Sequence, residues 1–463
     1  MRRIPEIVIF LALACLFTVT FMRNPFQIGD PCDPKQWRPR VFETFQIDTY
    51  KAIEQTIDMT RRDGHWPAGG FIYGYPKETD VYDRAFALHV KIYGWIFSHT
   101  ALDSATFVER TEWVVSGCFA VMLAAFVLFV RRHIGWGAAI TLAALTCLSD
   151  WLVFIARNID LLFCLRLLPS LLSFMLFRHV VTGGRLKFWQ FLLIIGAAMI
   201  FLCLCSNPFI TNVVFGIGVG PVFWGVLHRV PFRRIAKWTL AAIAVGTAAV
   251  GISMIATAVQ GYLFFGNADK AMTVFHAAFN RMYGHEARFA SVDWGAPPEI
   301  SVFQIFEQYL TQPMMSLPFY QNKFPGYHIY LSFYAFLVAV VPFSLMSLLD
   351  GRRFPRFEAN RKLLVSLSAA TIYSLGASLS WAFMMKGHMW HHLHQAAVVF
   401  YIPYMLFLYM LMGCCAAITL LQLFDFARAR RWPALFSDGA DSPTAETRRP
   451  TQPMPKAKSN KRN

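Results

Sequence analysis

The stretch EWVVSGCFAVMLAAFVLFVRRH, residues 112–133, decides the fold class: from Trp113 to Val130 it carries no charge, and it closes on Arg131-Arg132-His133. A run of roughly 20 apolar residues is what a helix needs to cross the hydrocarbon core of a bilayer, and a basic cluster at its end marks the cytoplasmic side. Working outward, comparable runs recur at 7–21, 135–150, 159–177, 188–206, 210–227, 238–259, 328–348, 364–384 and 396–424. With 56% hydrophobic and 15% charged residues in 463, a water-soluble domain is excluded. The sequence predicts an all-α, polytopic transmembrane helix bundle of about ten spans.

Orientation follows from the basic residues. With the N-terminus inside, Arg131–His133, Arg178–Lys187, Arg229–Lys237, Arg352–Lys362 and Arg428–Arg431 all fall on the cytoplasmic side. The net charge of +16 therefore reports topology, and no nucleic-acid partner is expected. Met1-Arg2-Arg3 and the run Ile7–Phe21 have the make-up of a signal peptide, but Met22-Arg23-Asn24-Pro25 offers no small-residue cleavage site. An uncleaved first span is expected. Eight of the nine cysteines lie in apolar runs, leaving Cys32 alone in a polar segment, so no disulfide framework is expected. Residues 425–463, rich in Pro, Ser, Thr and Lys, read as a disordered cytoplasmic tail beyond a membrane domain spanning 1–424.

Two segments, 23–111 and 260–327, are too long and polar for connectors and fall on the outer face, where function is expected. In the first, Tyr50, Ile53 and Ile57 recur at helical spacing while Lys51, Glu54, Gln55, Asp58 and Arg61 face elsewhere, the pattern of a helix lying on the membrane. A second helix is expected over Asp83–His99, with Phe86, Val90, Tyr93 and Phe97 on one stripe and Trp95 at the bilayer interface. Gly64–Gly74, with Pro67, breaks the chain between them.

Ile47-Asp48-Thr49-Tyr50-Lys51-Ala52-Ile53 through Arg62-Asp63-Gly64-His65-Trp66 resembles the first extracytoplasmic loop of the GT-C membrane glycosyltransferases, in the branch holding the aminoarabinose transferases of lipid A and the protein mannosyltransferases. There an Asp, usually followed by Glu, opens a helix with a Tyr close behind, and a Gly closes it. Further segments match in order: Arg84–Phe97, Arg110–Asp160 with its Ala156-Arg157-Asn158-Ile159-Asp160, Gly326–Pro342, and Lys386–Pro403. The likeness covers residues 1 to about 424 and rests on the ordered set, since each motif is short. Thr49 stands where the family has Glu, and Arg84 where it has Lys-Pro.

The resemblance implies sugar transfer from a polyprenyl-phosphate donor to an acceptor hydroxyl, with inversion, on the periplasmic face of a bacterial inner membrane. The acceptor would be an envelope glycan, a lipid or a protein. Such transfer needs a carboxylate to take the hydroxyl proton, and Asp48 and Asp160 are the candidates; Asp48 also suits a plain helix cap. Leaving phosphate needs fixed cations: Arg84, Arg157 and Lys386 are candidates, against solvated or snorkelling readings of Arg84 and Lys386 and a local pair of Arg157 with Asp160 on one helical face. Tyr50, Tyr320 and His328 are further substrate-binding candidates. No cofactor is assigned beyond a divalent metal left open; His388 and His392, at i, i+4 spacing, give a weak metal signal against an interfacial polar patch. Arg166 lies deeper and calls for a partner of its own. No Gly-rich phosphate loop of the GxxxxGK[ST] kind is present. The rival readings are a transporter or flippase of lipid-linked intermediates, which would call for paired, broken half-helices, and a catalytically dead scaffold.

Overall fold

The computed structural model describes residues 3–25, 72–75, 78–81, 86–206, 209–269, 301–311, 313–318, 328–385 and 398–428, with isolated positions at 53, 57, 61, 271, 272, 275 and 276. Helices dominate: α1 Arg3–Arg23, α2 Leu88–Ser98, α3 Ser104–His133, α4 Trp136–Cys147, α5 Asp150–Ile155, α6 Phe163–Val181, α7 Phe188–Cys205, α8 Ile210–Gly216, α9 Val219–Leu227, α10 Phe232–Phe265, α11 Val302–Thr311, α12 Phe333–Leu345, α13 Pro355–Met384 and α14 Tyr404–Arg428. Two antiparallel hairpins accompany them, β1 Ile72–Tyr75 with β2 Glu78–Val81, and β3 Pro313–Pro318 with β4 His328–Ser332. Eight apolar helices among the described residues are long enough to cross a membrane, α8 and α9 acting as one, and α4 and Phe333–Leu348 are shorter apolar segments. The chain is a multi-pass, all-α membrane protein.

The ends of these helices sort into two sets. At one end, Glu6 of α1 meets Arg131 of α3 at 2.7 Å, the rings of His133 and Trp224 lie 6.2 Å apart, Phe177 meets Trp238 at 5.2 Å, and Arg356 grips Asp425 through Nε and Nη2. This is the end that carries Arg131, Arg132, Arg178, Arg234, Arg356 and Arg428, as the basic-residue pattern predicts for the cytoplasmic face. The other end gathers α2, the turn 156–162, Ser206 and Gln260.

Small residues set the packing, because close backbone approach replaces the hydrophobic drive that lipid removes. Gly137 of α4 faces Gly413 of α14: a Cβ on Gly413 would meet the Gly137 carbonyl and the Thr141 side chain. Gly220 of α9 leaves room for the Ser173 carbonyl of α6. Phe174, fully buried, sits at the centre of an aromatic cluster with Phe126, Phe129, Phe223, Trp224 and Phe407.

Several boundaries depart from the sequence reading. The 135–150 span is only the short α4, which ends at Cys147; Ser149 Oγ then caps a separate short helix, α5, that runs beyond the expected span. The 159–177 span starts only at Phe163, and residues 156–162 are turns. The 328–348 span opens as a strand, His328–Ser332, which pairs β3 in the outer segment. The α-helix of the last span begins at Tyr404, after a 3-10 turn at 398–401 and a turn at 402–403 that are buried inside the protein. Helix α3 starts at Ser104, because Asp103 accepts from Thr106 N and Oγ1. Residues 425–428, at the start of the expected tail, belong to α14, where Asp425 pairs with Arg356; residues 429–463 lie outside the described residues.

Candidate functional site

The turn between α5 and α6 is built by its own side chains. Asn158 Oδ1 accepts from the backbone N–H groups of Asp160, at 3.1 Å, and Leu161, at 2.8 Å, so the chain turns instead of continuing a helix. Leu162 then enters α6 through the left-handed region, φ 46°, which a branched side chain adopts only under strain. Buried Arg166, one turn into α6, donates from Nε to the Leu161 carbonyl at 2.8 Å and from Nη2 to Ser206 Oγ at 2.9 Å. That is the partner its depth demanded.

Helix α2 docks onto this turn. Tyr93 Oη donates to the Ile159 carbonyl at 3.1 Å, and His89 Nε2 lies 3.2 Å from Asp160 Oδ1, with the His89 and Tyr93 rings edge to face at 5.7 Å. Burial drives the Tyr93 phenol pKa upward, so the hydroxyl stays a neutral donor. His89 is 4% exposed and Asp160 24%. The imidazole therefore stands behind the carboxylate, which is the member open to a substrate. The other ring nitrogen of His89, the buried Nδ1, has no hydrogen-bond partner among the described residues.

Left-handed non-glycine residues cluster here: Ala87 at the start of α2, Leu162 at the start of α6 and Phe209, whose ring lies 5.6 Å from the Arg166 guanidinium, at the start of α8. Each costs about 1–3 kcal/mol, and such strain gathers where geometry is dictated by function. The outer helix expected around Tyr50–Ile57 reaches the same place. Positions 53, 57 and 61 are helical, and Ile53 and Ile57 are fully buried in one apolar cluster with Ala87, Val90, Phe97, Ile159 and Leu162. Arg61 donates to the carbonyls of Phe97, Thr100 and Leu102 and stacks on Phe97 at 3.5 Å, capping the end of α2.

Two more cations border the site. Arg157 is largely buried over Phe154, its Nε unpartnered among the described residues; burial lowers its pKa and the charge of Glu112 on α3 opposes that. Lys91, on α2, bonds to the Gln260 side chain of α10 and lies 3.7 Å from the Phe86 ring centre; burial lowers its pKa to about 8.

Of the site residues chosen from sequence, Asp160 and Arg157 share one turn but no helical face, and no ion pair joins them: the partner of Asp160 is His89. His328 is placed on β4, in register with Pro318. Asp48, Tyr50, Arg84, Tyr320, Lys386, His388 and His392 lie outside the described residues. Among the described residues no three His, Cys, Asp or Glu side chains gather as a metal would require. Sequence reasoning missed His89, although a polar residue four before Tyr93 and three after Phe86, on the stripe meant to be apolar, was the available signal. It also passed over Lys91. Comparison of the chain with protein-family models, with characterised proteins and with solved structures gives no match.

Proposed function

We propose that this protein is a GT-C-type membrane glycosyltransferase of the bacterial inner membrane. In this reading it moves a sugar from a polyprenyl-phosphate donor to an acceptor hydroxyl on the periplasmic side. The observation that carries the reading is Asp160: a part-exposed carboxylate, backed by His89 and fixed on a self-bonded turn, at the end of the bundle opposite the basic loops. A carboxylate there has the chemistry of a general base. It would take the acceptor proton as the oxygen attacks the anomeric carbon, while the lipid phosphate departs from the opposite face, inverting that carbon. Ile53 and Ile57, five and nine residues after Asp48, are buried in one cluster with Ile159, which supports the assignment of Asp48 as the second carboxylate. Arg157, Arg84 and Lys386 are assigned to the phosphate charge, and Tyr50, Tyr320 and His328 to the sugars.

Purified protein given a polyprenyl-phosphate sugar and envelope acceptors should release polyprenyl phosphate. Asp160→Asn should reduce that release by about 100-fold or more, the range lost with a general base, while the protein stays folded. Unchanged turnover in Asp160→Asn would remove the assigned base.

A transporter of lipid-linked intermediates is the second reading, favoured by the stretch 398–403, where a 3-10 turn replaces α-helix ahead of α14. Its backbone is gripped in the interior, Val399 by Asn212 Nδ2 and Ile402 by Ser378 Oγ, and broken backbone at membrane depth is common in carriers. Movement of an intact lipid-linked sugar across a proteoliposome, without release of the sugar, would decide for it.

A further inference from the structure

Among the described residues, Lys91 is a cation held only by neutral partners. Its ammonium reaches the Gln260 amide oxygen and the face of Phe86, and among the described residues no carboxylate pairs with it. A partly buried ammonium with no counter-ion forfeits hydration that two neutral partners do not replace, and an anion restores the balance. The surroundings say where that anion comes from. On α2, Ile92, Trp95 and Ile96 are exposed, and on α10 so are Val259, Tyr262 and Leu263, which flank Gln260. These apolar side chains border the Lys91–Gln260 bridge on both helices, and Trp and Tyr among them suit the headgroup level of a bilayer. The seam between α2 and α10 is thus open to lipid, with one positive charge at its mouth.

We infer that the α2–α10 seam binds the phosphate of a membrane lipid, with Lys91 as the ion-pairing group, Gln260 aiming the ammonium, and the exposed apolar residues lying along the hydrocarbon chain. Lys91 borders the Asp160 site, yet the inference holds whether or not the enzymatic reading does, because the phosphate of a bilayer glycerophospholipid and that of a polyprenyl carrier present the same chemistry to it. A lysine with three rotatable donors suits a phosphate as a point charge.

The test uses the full chain, stripped of lipid in detergent, with phosphatidylglycerol, undecaprenyl phosphate, inorganic phosphate or diacylglycerol added back and binding read by native mass spectrometry. Retention of at least one phosphate lipid should fall by about fivefold or more in Lys91→Gln, the effect of one basic group at an anionic surface, and persist in Lys91→Arg. Diacylglycerol should bind both proteins alike. The lipid whose retention falls identifies the source. Equal retention of both phosphate lipids by wild type and Lys91→Gln overturns the inference, and so does dependence on Lys91 for inorganic phosphate alone. Reductive methylation of wild-type Lys91 gives a variant-free reading: protection by a phosphate lipid supports the site, and equal labelling with and without either lipid refutes it.

Discussion

At the residue scale, the chemistry rests on how partners set the state of single side chains. Lys91 is the clearest case, because burial lowers its pKa to about 8. An ordinary lysine, near 10.4, is under about 1% uncharged at pH 8, whereas Lys91 in lipid-free protein is about half uncharged there. The sign is fixed: the amine is protonated and inert well below pH 8 and nucleophilic above it. Acetylation of lipid-free protein at pH 8, followed by peptide mass spectrometry, should modify Lys91 well before Lys187 and Lys237; at pH 6 the Lys91 rate should fall by about 50-fold, and the preference should disappear only above about pH 11, where ordinary lysines are deprotonated too. Equal rates at pH 8 would contradict the assignment. Little of this was legible in the sequence, where Lys91 is one basic residue among 43 Lys and Arg. Its state depends on Gln260, 169 residues away. Asp160 was legible, since an ionisable group at the mouth of a span is costly unless it has work to do. Its partner was not, because His89 and Asp160 come together only when α2 folds over the turn.

At the element scale, helices were read well and their ends were not. Hydrophobic runs fixed the spans, but the start of α6 moved to Phe163 because a single side chain, Asn158, takes two backbone N–H groups that a helix would have left to capping. The strand pairs β1–β2 and β3–β4 escaped notice because strands of four to six residues are too short to carry a periodicity that separates them from loop. Close helix contacts can be tested directly. Gly413→Val should place its side chain against the Gly137 carbonyl and Thr141 and cost about 1–3 kcal/mol, the range for overpacking, seen as a lower unfolding midpoint in detergent. Gly117→Ala on α3, where an added Cβ meets nothing within 4 Å, should leave the midpoint near wild type. Equal effects of the two changes would mean that α4 and α14 do not approach as described.

At the scale of the whole molecule, one asymmetry organises everything. Basic residues and aromatic clusters gather at one end of the bundle, and at the other stand strained helix starts, a fixed carboxylate and two cations with few or no ionic partners. Charge counting along the sequence foresaw this polarity, since it needs only the order of spans and loops. The presence of Asp160 and Arg157 at the outer end was foreseen, and the assembly around them was not, because the packing of Ile53, Ile57 and α2 against the 156–162 turn is not encoded in periodicity.

The central claim is that two acidic side chains, Asp48 and Asp160, form one site on the outer face. Spin labels introduced at these two positions, in protein otherwise freed of reactive cysteines, measure it most directly through their dipolar distance in lipid nanodiscs. The account predicts a single short distance, well below the ~30 Å thickness of the hydrocarbon core. A distance comparable to that thickness, or a broad spread reaching it, would separate the two carboxylates and contradict the site.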